Sequence, residues 1–145
     1  MTLHLQKLCV GAESFEDLSE WIKEQLASQK KRGVKKPEQT HTTRMMPSRG
    51  EEILDGGSLY WVIKGVMCAR QDIIELRPVI GKDGISRCQI VLRPKLIRTE
   101  PRPRRAFQGW RYLKEDEAPG DMDRATAATG LPPHLVTELK ELGLL

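Results

Sequence analysis

Between Arg93 and Tyr112 the chain interleaves arginines, prolines and aromatic rings. Arg93, Lys95, Arg102, Arg104, Arg105 and Arg111 share this stretch with Phe107, Trp110 and Tyr112. Phosphate contact and base stacking use that combination of cations and rings. A guanidinium fork matches phosphate geometry, and a segment stiffened by Pro101 and Pro103 loses less entropy when it docks. A plainer reading competes: Trp110 and Tyr112 pack in a core while Arg102, Arg104 and Arg105 keep an exposed loop soluble.

The charge is unevenly spread along the 145 residues. Residues 91–114 hold eight basic side chains against the single acid Glu100, a net +7, whereas residues 115–145 hold seven acids against Arg124 and Lys140, a net −5. Like charges held together set up a local potential that attracts anions. If Glu115, Asp116 and Glu117 fold back onto the arginines, that potential largely cancels.

A second cluster, His41-Thr42-Thr43-Arg44, puts a titratable ring, two hydroxyls and a guanidinium side by side. With Tyr60 and Lys64 it could line a pocket for a phosphate or carboxylate, which would suit an enzyme acting on an anionic small molecule. The threonines are equally ordinary strand residues. Catalytic motifs are lacking: there is no glycine-rich phosphate loop, no G-x-S-x-G and no H-E-x-x-H, so the reading leans away from an enzyme. Glu51 and Glu52 suit the head of a short helix better than acid–base work. Cys9, Cys68 and Cys88, like His4, His41 and His134, are scattered without zinc-site spacing, so no metal and no cofactor are expected. Three distant cysteines argue against a disulfide framework and fit a reducing, cytoplasmic compartment. The opening residues lack a basic, apolar signal sequence, and no apolar run approaches the ~20 residues that span a bilayer.

The elements that must position these groups are partly legible. Leu3 and Leu5 alternate with polar neighbours and predict an opening strand. Ser14 reads as a helix N-cap, Phe15, Leu18, Ile22 and Leu26 recur at helical spacing, and Lys30-Lys31-Arg32-Gly33 closes the helix. Residues 40–46 predict a strand broken by Pro47, residues 49–55 a short helix stopped by Gly56-Gly57, and residues 58–64 a strand rich in aromatic and β-branched side chains. After Gly65 an extended run covers residues 66–80. A three-residue loop, Lys82-Asp83-Gly84, then pairs Gly81 with Ile85 and gathers Ile74, Leu76 and Ile80 on one face with Cys88, Ile90 and Leu92. In that register Cys88 is a core residue. Pro101 and Pro103 forbid helix and central strand pairing, and residues 107–113 re-enter the sheet. A helical turn near residues 122–128 and a final helix opened by Pro132-Pro133, with Leu135, Val136, Leu139 and Leu142 inward, complete the chain.

The strings His41-Thr42-Thr43-Arg44-Met45, Leu54 through Gly65 and Phe107-Gln108-Gly109-Trp110-Arg111-Tyr112-Leu113, with the closing Glu138 through Leu145, resemble the bacterial domain-of-unknown-function family numbered 1489, seen mainly in alphaproteobacteria. That resemblance implies no activity and assigns no catalytic residue. In layout the chain is also similar to PUA-like domains of the ASCH and EVE kind, small curved sheets closed into a pseudo-barrel with helices at the side. Many of those bind RNA or modified bases. The proline-arginine loop and the acidic C-terminal region depart from that layout.

The expectation is a single α+β domain over residues 1–145. Five or six mostly antiparallel strands form a curved sheet or PUA-like pseudo-barrel, with N-terminal and C-terminal helices packed outside. Its expected partner is nucleic acid, RNA above DNA, or another anionic ligand. Arg93, Lys95, Arg102, Arg104, Arg105 and Arg111 meet phosphates, and Trp110 or Tyr112 offers a stacking face. A protein-interaction module is the third possibility, and the oligomeric state is left open.

Overall fold

A computed structural model describes residues 2–122. In chain order it contains β1 (Leu3–Leu8), α1 (Phe15–Lys31), β2 (Gln39–Thr43), α2 (Gly50–Ile53), β3 (Ser58–Ile63), β4 (Val66–Ile80), β5 (Ser86–Leu92), β6 (Ile97–Pro103) and β7 (Trp110–Lys114), with a single 3-10 turn at Glu115–Glu117. The expected final helix and the turn beyond Met122 lie outside the described residues. Among the described residues no helix is long and apolar enough to cross a membrane.

Every residue of β3 is buried, so the sheet must be covered on both faces there. Leu59, Trp61 and Ile63 point to one side, where Leu5, Leu18, Ile22, Ile73, Cys88, Ile90 and Leu92 complete the main core. Tyr60 and Val62 point to the other and pack with Met67, Leu113 and Phe107. This period-2 division of an unbroken apolar run marks a central strand.

The sheet is mixed but mostly antiparallel, in the order β2-β5-β4-β3-β1-β7 with β6 also on β4. It has seven strands rather than five or six, and among the described residues it is unclosed. β1 and β3 run parallel, in register Leu5↔Leu59 to Leu8↔Val62. Parallel neighbours need a long crossover, which α1, β2 and α2 supply. The fifteen residues of β4 organise the rest: Val66–Arg70 pairs with β6 and Ile73–Ile80 with β5.

α1 begins where its sequence says it should. The Ser14 hydroxyl accepts from the Asp17 N–H at 3.1 Å, and the Asp17 carboxylate accepts from the Glu13 N–H at 3.1 Å. The first bond satisfies an orphan amide of the first turn, and the second ties the residue before the cap to that turn. Leu18 and Ile22 dock on the core, and Gly33 leaves the helix at φ +84°.

Both hairpins follow from their turn residues. Lys64 and Gly65 have φ of 49° and 77° between the paired Ile63 and Val66, a two-residue turn whose twist matches the strands. Between β4 and β5 the pairs Ile80↔Ser86 and Val79↔Arg87 place Lys82-Asp83-Gly84 in the loop, with Gly84 at φ +76°. The three-residue register is therefore the observed one, and Cys88 is fully buried. One part of that reading is corrected. A bulge between Ile73 and Glu75 adds a residue to β4, so Ile73 turns inward and Ile74 is left 53% exposed. Ile80, near the hairpin tip, is also outside the core.

Candidate nucleic-acid interface

Proline dictates the path of the basic segment. Pro94 ends the β5 ladder after Arg93, whose N–H donates to the Asp72 carbonyl. The chain rejoins β4 through β6, whose other side meets only the short segment 120–122 around Thr99, so Pro101 and Pro103 lie beyond that bridge. The last rung is the Arg104 N–H on the Gly65 carbonyl at 2.8 Å. Residues 105–109 then cross to β7, with Gly109 at φ +67°.

This path divides the predicted cations into two groups. Arg93 sits beside Asp72 with Lys95 turned back onto the Arg93 carbonyl, while Arg102 and Arg104 lie beside Met67 and Gly65. Five to seven strand residues separate the two along β4, roughly 16–23 Å at ~3.3 Å per residue. Arg111 is on β7 opposite Gln6, with its guanidinium 5.0 Å from the Phe107 ring centroid.

Ion pairing separates these arginines from many others. Arg49 pairs with Glu52, Arg70 with Asp72 and Asp121, Arg77 with Glu38 and Glu75, Arg87 with Asp83, and Arg98 with Glu16. Among the described residues, none of Arg93, Lys95, Arg102, Arg104, Arg105 and Arg111 meets a carboxylate. Arg102 donates to the Glu117 backbone carbonyl at 3.2 Å, and Arg104 to that of Pro103 at 2.9 Å. Among the described residues Glu115, Asp116 and Glu117 make no ion pair with them, and Glu115 turns to His4 instead.

The aromatic residues are placed differently from the expectation. Trp110 and Tyr112 lie on the main-core face of β7, with centroids 4.9 Å apart and edge-to-face. The Trp110 indole N–H donates to the Met45 carbonyl at 2.8 Å, and the Tyr112 hydroxyl accepts from the Arg49 N–H at 3.2 Å. Together they stitch residues 45–49 to the sheet edge. Phe107, beneath Arg111, is the ring that accompanies the cations.

The second predicted cluster is dispersed. His41 stands edge-on to Trp61 on the main-core side, whereas Tyr60 belongs to the opposite face. The Thr43 hydroxyl donates to the Met45 carbonyl, Lys64 pairs with Glu13 at 3.5 Å, and Arg44 is exposed.

Two cavities bring together residues that sequence reasoning left apart. One, of about 410 Å³, lies between the first half of α1 and the chain leaving β1, lined by Lys7, Cys9, Leu18, Trp21, His41 and Trp61 among others. Burial, reinforced by Lys7, pulls the His41 pKa down to about 4, and its Nε2 is buried without a hydrogen-bond partner. Burial raises the Cys9 thiol above its ordinary value. His41 had been singled out, but no local pattern joins residues 7, 21, 41 and 61.

The other cavity, of about 400 Å³, lies on the opposite face and is polar. Arg70 grips both Asp121 carboxylate oxygens at 2.7 and 2.9 Å and reaches Asp72 at 2.8 Å and the Ser58 hydroxyl at 3.0 Å. The Ser58 N–H donates to His4 Nδ1 at 2.9 Å, so His4 Nε2 carries the proton it gives to Glu115, also at 2.9 Å. These groups satisfy one another and clasp residues 115–122 to the sheet, aided by the Thr99↔Asp121 bridge.

A family model described as a protein of unknown function (DUF1489) matches residues 5–145. No curated protein and no solved structure matches the chain.

Proposed function

The chain belongs to the DUF1489 family, whose description carries no activity, and from the geometry of its basic segment we propose that it is a nucleic-acid-binding module, with RNA as the favoured ligand. The observation that supports this reading is the pairing contrast. Five other arginines, Arg98 of the same segment among them, are neutralised by carboxylates, while Arg93, Lys95, Arg102, Arg104, Arg105 and Arg111 are left without one among the described residues. An unpaired arginine keeps its full field for an external anion, and several on one segment attract a polyanion. Arg104 makes the rung at Gly65 and Arg105 follows it, and Arg111 with Phe107 adds a cation and a ring. Dispersal of His41, Arg44, Tyr60 and Lys64 favours this reading over a small-anion pocket.

A PUA-like layout is the fold reading that accompanies it. β4, shared by β3, β5 and β6, is the strand around which an open sheet would curve against α1. A cytoplasmic setting goes with the three free thiols of Cys9, Cys68 and Cys88.

Binding of short single-stranded RNA and DNA oligomers at two salt concentrations tests the function. Affinity falls steeply with salt, with a logarithmic slope of about −0.7 for each phosphate neutralised on a single strand. The double variant Arg104→Ala/Arg105→Ala weakens binding and flattens the slope by ~1.4. Binding that ignores salt, or no binding at low salt, refutes the reading.

A further inference from the structure

The cavity between α1 and the end of β1 has walls that a folding role leaves unexplained. Trp21 projects from α1 and stays 46% exposed, although an indole this size gains much by burial. Trp61 faces the same space from the sheet, and its only donor is already committed to Gln71 at 3.0 Å. Trp61 is only 2% exposed, so it closes the floor of the space, and the ring open to a ligand is that of Trp21. His41 stands edge-on to that ring and forms part of the same wall.

Charge narrows the ligand. Among the described residues Lys7 is the one cation of the lining, against the carboxylates Asp17, Glu20 and Glu24 on α1. Three negative charges against one repel a phosphate but not an uncharged or cationic ring. At about 410 Å³ the space lies within the ~300–1,000 Å³ of small-molecule sites. Any phosphate joined to the ring must leave towards positive potential. A chain of contacts links the two regions: Glu13, just past the lining residue Ala12, pairs with Lys64, and the next residue, Gly65, accepts from the Arg104 N–H.

We propose that this cavity is a slot for one planar heteroaromatic ring, a nucleobase, whose attached phosphates run out to Arg104 and Arg105. The inference rests on the nucleic-acid reading and adds where a base is held. A base in a strand and a free nucleoside share this chemistry, and the test separates them.

Quenching of tryptophan fluorescence and calorimetric titration are read with adenosine, guanosine, cytidine and uridine, and with short single-stranded RNA carrying either ordinary or abasic residues. Trp21→Ala removes the exposed wall, and Trp21→Phe restores a ring. Stacking on one aromatic residue implies about tenfold or greater weakening in Trp21→Ala, with partial recovery in Trp21→Phe. Saturable nucleoside binding with that pattern identifies a free-nucleoside slot. The same pattern seen only with oligomers, and lost on abasic substitution, identifies a base within a strand. If Trp21→Ala changes neither nucleoside nor oligomer binding, the slot is overturned. Salt-sensitive oligomer binding that survives alongside that result leaves the basic segment as the whole interface. A working slot with no effect of Arg104→Ala/Arg105→Ala refutes the basic-segment reading instead.

Discussion

Replacing His41 with phenylalanine should flatten the dependence of stability on pH between pH 7 and pH 5. Burial of the imidazole, with Lys7 nearby, lowers its pKa from an ordinary 6.5 to about 4. Between those two values the unfolded chain binds a proton that the folded chain refuses, so stability rises with pH. The full difference, 2.5 pKa units at 1.36 kcal/mol each, is about 3 kcal/mol. About 2 kcal/mol of it is lost on going from pH 7 to pH 5, above the range in which ordinary carboxylates titrate. His41→Phe keeps a ring against Trp61, 5.3 Å away between centroids, and removes the buried Nε2 that lacks a partner. At pH 7 the variant should therefore match the wild type or exceed it by about 1 kcal/mol. Urea denaturation of both proteins at pH 7, 6 and 5 measures the difference, which cancels contributions from the other histidines. Equal loss of stability in the two proteins across that window would show that His41 is not buried as a neutral ring, and the account of the cavity wall would fail with it.

Gly57 and Asp121 supply two further tests. A Cβ on Gly57 would lie 2.3 Å from the carbonyl oxygens of both Ile53 and Leu3, which are backbone atoms fixed by α2 and β1. Gly57→Ala should cost more than ~3 kcal/mol or prevent folding, measured by chemical denaturation, and a cost below ~1 kcal/mol would contradict this packing. Asp121→Asn removes the ion pair to Arg70 and loosens the clasp over residues 115–122. Because the Asp121 side chain is 48% exposed, the global loss should be about 1 kcal/mol or less. Hydrogen exchange should quicken at the Glu100 and Met122 amides, which bond to Gly120 and Arg98 across this segment, and unchanged exchange would refute the clasp. Arg70 holds the Asp121 carboxyl below its ordinary 3.8, so in the wild type this contribution is present above that value and lost as pH falls through the lowered one.

Local chemistry was enough to place most elements. Ser14, Lys30-Lys31 and Gly33 bracket α1 because capping and dipole interactions act within one turn. The Lys82-Asp83-Gly84 loop was readable because a three-residue turn needs a glycine with positive φ and because one register gathers Cys88, Ile90 and Leu92 inward. Pro101 and Pro103 kept the second side of β6 to a short bridge around Thr99 for an equally local reason, the missing N–H. Residue type and spacing also identified the cations of residues 93–111, though not their pairing state.

Tertiary structure alone decided where those side chains meet. The bulge after Ile73 reverses which isoleucine is buried, because its cause lies in pairing with β5 and not in the alternation of β4 itself. Trp110 and Tyr112 turned out to hold the 45–49 loop, since the register of β7 on β1 sends Arg111 to the opposite face. Lys7, Trp21, His41 and Trp61 come from four different elements or their neighbouring segments, as do His4, Ser58, Arg70 and Asp121. The sequence by itself determined which groups can carry charge, cap a helix or turn a hairpin, because those properties act over a few residues. Which carboxylate meets which arginine, and which rings share a cavity, depended on long-range strand order, which local propensity does not encode.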